Sequence, residues 1–259
     1  MTAASSPSSV SRRTALRAAT STAALIASLT LAASATAGAP THQRSAAPSA
    51  GAVSMASATL AHWAPVVSDV VARRAPARGS GAVAPIATVT GEGTQNIVLI
   101  LARIQVGGGT WYRVLLASLP NSLTGWVPAS ALGTVYAVRT HLYVDRERLT
   151  ATLKLAGRTI FTTRVGVGRS YWPTPAGQFY IRDKLTNFDN PFYGPVAFGT
   201  SARSAVLTDW PGGGFVGVHG TNEPGILPGA VSHGCIRMTN GAILQLAKLM
   251  PVGTPLTVS

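Results

Sequence analysis

Val218-His219-Gly220-Thr221-Asn222-Glu223-Pro224, a short Gly/Pro-rich loop, and Val231-Ser232-His233-Gly234-Cys235-Ile236-Arg237-Met238 form the stretch that organises this 259-residue chain. It holds the sole cysteine and two of the five histidines. A thiol attacks as its thiolate, and imidazole is the usual base near neutral pH. A glycine beside the thiol leaves backbone N–H groups open to a developing oxyanion. One stretch can therefore supply a nucleophile (Cys235), a base (His219) and oxyanion donors (the N–H groups of Gly234 and Cys235).

Short apolar runs surround this stretch. Phe215-Val216-Gly217-Val218 reads as a strand that delivers His219. Upstream, Val135 to Val144, Leu149 to Leu155 and Thr159 to Val165 alternate as strands. Asp145-Arg146-Glu147 and Ala156-Gly157-Arg158 sit between them as hairpin turns. Thr174-Pro175-Ala176-Gly177 is a turn that feeds Gln178 to Ile181. One helix is expected after the cysteine, capped by Asn240 and ended by Pro251 and Gly253. Ile243, Leu246, Ala247 and Met250 share its apolar face. Leu256-Thr257-Val258 reads as a last strand.

These residues resemble the L,D-transpeptidase (YkuD) family. The resemblance is carried by His219-Gly220-Thr221-Asn222, by Ser232-His233-Gly234-Cys235-Ile236-Arg237-Met238, and by the Thr174-Pro175-x-Gly177 turn. It runs from Thr134 to the end of the chain. It implies a β-rich, sandwich-like catalytic domain with a cysteine nucleophile and no cofactor. The implied substrates are peptidoglycan stem peptides, cut after the third residue and joined to an amine of a neighbouring stem. On this reading Cys235 is the nucleophile and His219 the general acid/base, its second ring nitrogen held by a carbonyl near Gly220 or Thr221. His233, Ser232 and Thr221 support the site. Arg237 either binds a stem carboxylate or braces the loop. Tyr193 and Trp210 either line the groove or pack beneath it. The alternatives are an L,D-carboxypeptidase working through the same acyl-enzyme and a non-catalytic wall-binding protein.

Residues 58–133 show short β runs split by turns, with Trp111-Tyr112-Arg113-Val114 and Gly125-Trp126-Val127-Pro128 near their end. They resemble a bacterial SH3-like barrel, which implies either a wall-peptide binding module or a spacer propping residues 134–259. Trp111 and Trp126 are expected in its core. The overall expectation is a mainly β chain with one helix.

Residues 1–37 read as a signal peptide. Arg12, Arg13 and Arg17 precede an apolar run, and Ala35-Thr36-Ala37 is a small-residue cleavage site. The paired arginines resemble a twin-arginine signal, with Sec export left open. Residues 38–57, rich in Ala, Ser and Pro, read as a flexible linker. Removing residues 1–37 takes away three arginines and no acid, so a net charge of +13 falls to +10. Such a surface suits anionic cell-wall polymers. Nucleic acid is not expected, because no basic cluster interleaves with aromatics. Charged residues are only 11% of the chain, against roughly 25% in soluble domains. A lone cysteine excludes a disulfide within the chain. A zinc site built on His219, His233 and Cys235 lacks a fourth ligand. In the usual cysteine–histidine endopeptidase the cysteine precedes its histidine, the reverse of the order here.

Overall fold

The computed structural model describes residues 51–186, 190–207 and 213–259. The signal-like segment 1–37, most of the expected linker, and Trp210 lie outside the described residues. No described helix is long and apolar enough to cross a membrane.

The chain first builds a sheet from β1 (Val53–Ser54), β2 (Ala61–Pro65), β3 (Val70–Arg73), β4 (Ala82–Ile86), β5 (Ile97–Val106), β6 (Gly109–Leu115), β7 (Thr124–Pro128) and β8 (Tyr136–Val138). The strand order is β4-β3-β7-β6-β5-β2-β8, with β1 on β5. Gly107 and Gly108 both have positive φ, 58° and 76°, which closes the β5–β6 hairpin without splaying the strands. The apolar run Ile97 to Ile100 has no polar face, and the structure gives the reason. Val98 and Ile100 enter the core of this sheet, whereas Ile97 and Leu99 pack outward against Tyr180 of the second sheet. Residues of β2, β3, β4, β5, β6 and β7 meet in one cluster. With strands about 4.8 Å apart, the sheet must curl to allow that. Trp111 and Trp126 are buried with Ala102, as the sequence led us to expect.

Two boundaries differ from expectation. Val53–Ser54, inside the expected linker, pair with Arg103 and Ala102 of β5. Tyr136–Val138, expected in the second half, pair with β2, where Tyr136 stacks on Trp63 at 4.8 Å. The second sheet therefore begins past Val138.

That sheet contains β9 (Thr140–Asp145), β10 (Thr150–Leu155), β11 (Arg158–Arg164), β12 (Gly166–Gly168), β13 (Gly177–Thr186), β14 (Val196–Arg203), β15 (Phe215–His219), β16 (Gly229–Ser232), β17 (Ile236–Arg237) and β18 (Pro255–Val258). The order is β11-β10-β9-β18-β13-β14-β15-β17-β12-β16. β13 makes the path double back. Its first half, Gly177 to Tyr180, pairs with β18, and its second half, from Ile181, pairs with β14 across a bulge. Leu142, Val144 and Leu153 from one end then face Val216, Val218 and Ile236 from the other in a single core. The domain is sandwich-like, as expected.

The one described α-helix, α1 (Asn240–Leu249), packs Ile243 and Leu246 into that core. Thr239, not Asn240, is its cap: Thr239 Oγ1 accepts the Ala242 N–H at 3.2 Å. The Asn240 carboxamide is engaged elsewhere, in the loop after His219.

Candidate active site

The 16-position gap between His219 and Cys235 closes because β15 and β17 are parallel neighbours. Val218 pairs with Ile236 and His219 with Arg237. The chain leaves β15, makes its loop, returns as β16 and turns at Gly234. That glycine has φ 116°, a conformation that side chains disfavour. Cys235 enters β17 beside Gly217, whose N–H donates to Sγ at 3.3 Å. A Cβ built on Gly217 would lie 3.6 Å from His219 Cδ2 and 3.8 Å from Sγ. The imidazole edge and the thiol thus both lie within contact distance of the same backbone position. His219 and Cys235 line a single cleft with Tyr193, Phe192, His233 and Arg237.

His219 is 1% exposed. Its Nδ1 lies 2.6 Å from the Gly220 carbonyl. A carbonyl can only accept, so Nδ1 carries the hydrogen and Nε2 presents a lone pair. That Nε2 has no hydrogen-bond partner among the described residues. Burial holds the ring pKa down to about 4, with a smaller push from the Arg237 charge, while the Gly220 carbonyl works in the opposite direction. Burial also pushes the Cys235 thiol up, opposed by the Gly217 N–H and by Arg237. The resting pair is a neutral thiol beside a neutral imidazole.

The loop is fastened from three sides. Ser232 Oγ donates to the Cys235 carbonyl at 2.6 Å and accepts the Gly234 N–H at 3.1 Å. Thr174 Oγ1 donates to the Gly234 carbonyl and accepts the Gly168 N–H, both at 2.8 Å. Asn240 Oδ1 accepts the Thr221 N–H at 2.9 Å, and Thr221 Oγ1 accepts the Glu223 N–H at 3.1 Å. One expectation is corrected here. The Gly234 N–H is occupied by Ser232 and is not a free oxyanion donor, which leaves the Cys235 N–H as the remaining candidate.

The His233 ring lies 4.0 Å from that of Trp172 at a 38° tilt and lines the same cleft as His219. Tyr193 meets the His219 ring edge to face at 4.9 Å. Arg237 is 4% exposed, lies 4.1 Å over the Phe192 ring, and its Nε has no hydrogen-bond partner among the described residues. Sequence reasoning missed Gly217, Thr174 and Asn240 as site-builders. A glycine inside a strand run was the available signal for the first, since it marks a close approach. Among the described residues no group of three or more His, Cys, Asp or Glu could hold a metal ion.

Fold and site together define a mainly β protein whose cleft pairs one thiol with one buried imidazole. The chain belongs to the L,D-transpeptidase (YkuD) family. The family model described as the YkuD L,D-transpeptidase catalytic domain matches residues 139–258. The chain is 35% identical over 124 residues to the YkuD protein of Bacillus subtilis (strain 168), covering 48% of this chain and 68% of that one. It is 32% identical over 103 residues to YqjB of the same organism, covering 37% of this chain and 57% of that one. A solved structure of the catalytic domain of an E. faecium L,D-transpeptidase is 25% identical, with a TM-score of 0.35, and covers 46% of this chain and 96% of that one.

Proposed function

We propose that the protein is a peptidoglycan L,D-transpeptidase that forms an acyl-thioester on Cys235 and transfers it to an amine of another stem. The observation that carries this reading is the unpartnered lone pair of His219 Nε2 in the same cleft as the thiol. His219 takes the thiol proton as sulfur attacks the carbonyl carbon of the stem's third residue. The Cys235 N–H faces the developing oxyanion, a contact worth on the order of 3 kcal/mol of barrier. As the C–N bond breaks, His219 returns the proton to the departing amine, leaving the thioester. A stem amine then attacks that carbonyl, His219 accepts its proton, and the thiolate leaves and is reprotonated. Arg237, buried against Phe192, presents a guanidinium to a substrate carboxylate.

We also propose that the chain works outside the cytoplasmic membrane, where its basic surface meets anionic wall polymers. The test is intact protein with tetrapeptide stems and mass analysis of the products. Loss of the fourth residue with a new bond to a second stem supports the transferase. Loss with water added favours the carboxypeptidase, and no change to the stem overturns both.

A further inference from the structure

In the thiol cleft the Phe192 ring packs on Arg237 and the Tyr193 ring on His219. The row of rings that starts at His233 leads elsewhere. His233 lies 4.0 Å from Trp172, and Trp172 lies 4.6 Å from Tyr171 in an edge-to-face contact. Exposure rises along the row: His233 and Trp172 are half-buried, and Tyr171 is 60% exposed. Among the described residues one other aromatic side chain, Tyr136, is exposed, and it stacks on Trp63.

The loop that carries this row is fastened. The Arg169 N–H donates to the Ser232 carbonyl at 3.0 Å, and the Trp172 N–H donates to the Arg169 carbonyl at 2.9 Å. Thr174 closes the loop through its bonds to Gly168 and Gly234. Gly168 is required at the base, because a Cβ there would overlap the Trp172 carbonyl. Two of these ties end on Ser232 and Gly234, so the ledge of rings is fixed to the segment that holds the thiol. Tyrosine and tryptophan suit such a place, since one end of each is apolar and the other can stay wet.

We propose that Tyr171 and Trp172 form a sugar-binding ledge that takes the N-acetylhexosamine ring from which a donor stem hangs. This rests on the peptidoglycan reaction proposed above. The carbonyl attacked there belongs to the third stem residue, so three residues lie between the thiol and the glycan. Three extended residues span roughly 10 Å. The ring-to-ring steps of 4.0 and 4.6 Å carry the row nearly that far from His233, which lines the cleft with Cys235. A stem laid along the row delivers its sugar to Tyr171. A pyranose turns a face of C–H bonds to an aromatic ring and keeps its hydroxyl and N-acetyl groups for polar partners. Arg169 and Ser170, both exposed, precede Tyr171 in the same loop and offer donors to those groups.

The probe is N-acetylmuramoyl-L-alanyl-D-isoglutamine, compared with the N-acetylated dipeptide that lacks the sugar. Each is titrated into the full chain and followed by residue-resolved NMR. Expected are saturable shifts at the Trp172 indole and the Tyr171 ring, with the sugar-bearing probe bound about tenfold more tightly. Tyr171→Phe should keep that preference, and Tyr171→Ala should cut it to about twofold or less. In a second arm, tetrapeptide stems with and without the sugar should show the same preference in kcat/KM, carried by KM. Equal affinity for the two probes, a preference that survives Tyr171→Ala, or shifts absent from Tyr171 and Trp172 would each overturn the proposal. A dimer that Tyr171→Ala dissociates would also overturn it, because a second copy would then occupy the ledge. Sugar-dependent shifts with neither stem cut would support the ledge and overturn the transpeptidase. Both stems cut at equal kcat/KM without such shifts would overturn the ledge alone.

Discussion

Burial keeps the His219 ring neutral down to about pH 4, where a solvated ring would charge near 6.5. The form that accepts a thiol proton therefore persists through mildly acidic conditions. The acid limb of kcat/KM should fall near pH 4, and an inflection between 6 and 7 would show a ring open to water. The same depression acts on stability. Unfolded chains bind this proton below about 6.5 and the folded chain does not until about 4, so stability is complete above 6.5 and declines as pH falls through that window. The loss is roughly 3 kcal/mol. Burial depresses His141 to about 4 as well, so the His219 share is read from denaturant unfolding at pH 7 and pH 4 of the natural chain against His219→Gln, which should reduce the pH-dependent loss by about that amount. Gly217→Ala probes the gap between the two side chains. The added methyl meets its neighbours at ordinary contact distances, so folding stability should hold within about 0.5 kcal/mol. It also stands beside the imidazole and the thiol, and acylation should slow about tenfold or more. Unchanged acylation rates would remove this gap from the chemistry.

Among the elements, the Thr174 turn clamps two loops onto the cysteine. Thr174→Val keeps the shape but leaves the Gly168 N–H and the Gly234 carbonyl buried without this partner. The expected loss is about 2–4 kcal/mol, read as a fall in the unfolding midpoint, with Thr174→Ser restoring most of it. A midpoint unmoved by Val would show that the turn bears no weight. These roles mark where the sequence was legible and where it was not. The alternating strands, the Ala156-Gly157 turn and the buried face of α1 follow local periodicity, so they could be read. His219 and Cys235 were legible because a thiol and an imidazole carry their chemistry in their side chains. The competition for Asn240 was not, since a carboxamide suits a helix cap as well as it suits a distant N–H, and only the fold brings Thr221 to it. The Gly234 N–H was assigned to an oxyanion for the same reason: nothing in the residue order shows that Ser232 Oγ folds back onto it. The doubling back at β13 depends on pairings with β18 and β14, far away along the chain.

Across the whole molecule, the two sheets hold one another through residues that neither could bury alone. Tyr180, 1% exposed, sits among Ile97, Leu99 and Leu115 of the first sheet, and its hydroxyl reaches the Ile97 carbonyl. Asn121 grips Arg203 twice, donating to its carbonyl at 2.7 Å and accepting its N–H at 2.9 Å. The first sheet is thus part of the support for β13 and β14, and β14 is the strand that pairs with β15 at His219. Burial pushes the Tyr180 phenol up to about 12, against an ordinary 10. Because the folded value is raised, its contribution to stability is complete below pH 10 and is lost as pH climbs toward 12. A chain starting at residue 139 should therefore either unfold at a lower temperature or, where folded, ionise Tyr180 near pH 10, and ultraviolet titration of the phenols separates the cases. In the full chain Tyr180→Phe should cost about 1–3 kcal/mol, because the Ile97 carbonyl is left buried without this hydroxyl. A piece beginning at residue 139 that matches the full chain in melting temperature, with Tyr180 still resisting ionisation, would make the first sheet a detachable neighbour rather than a support for the cleft.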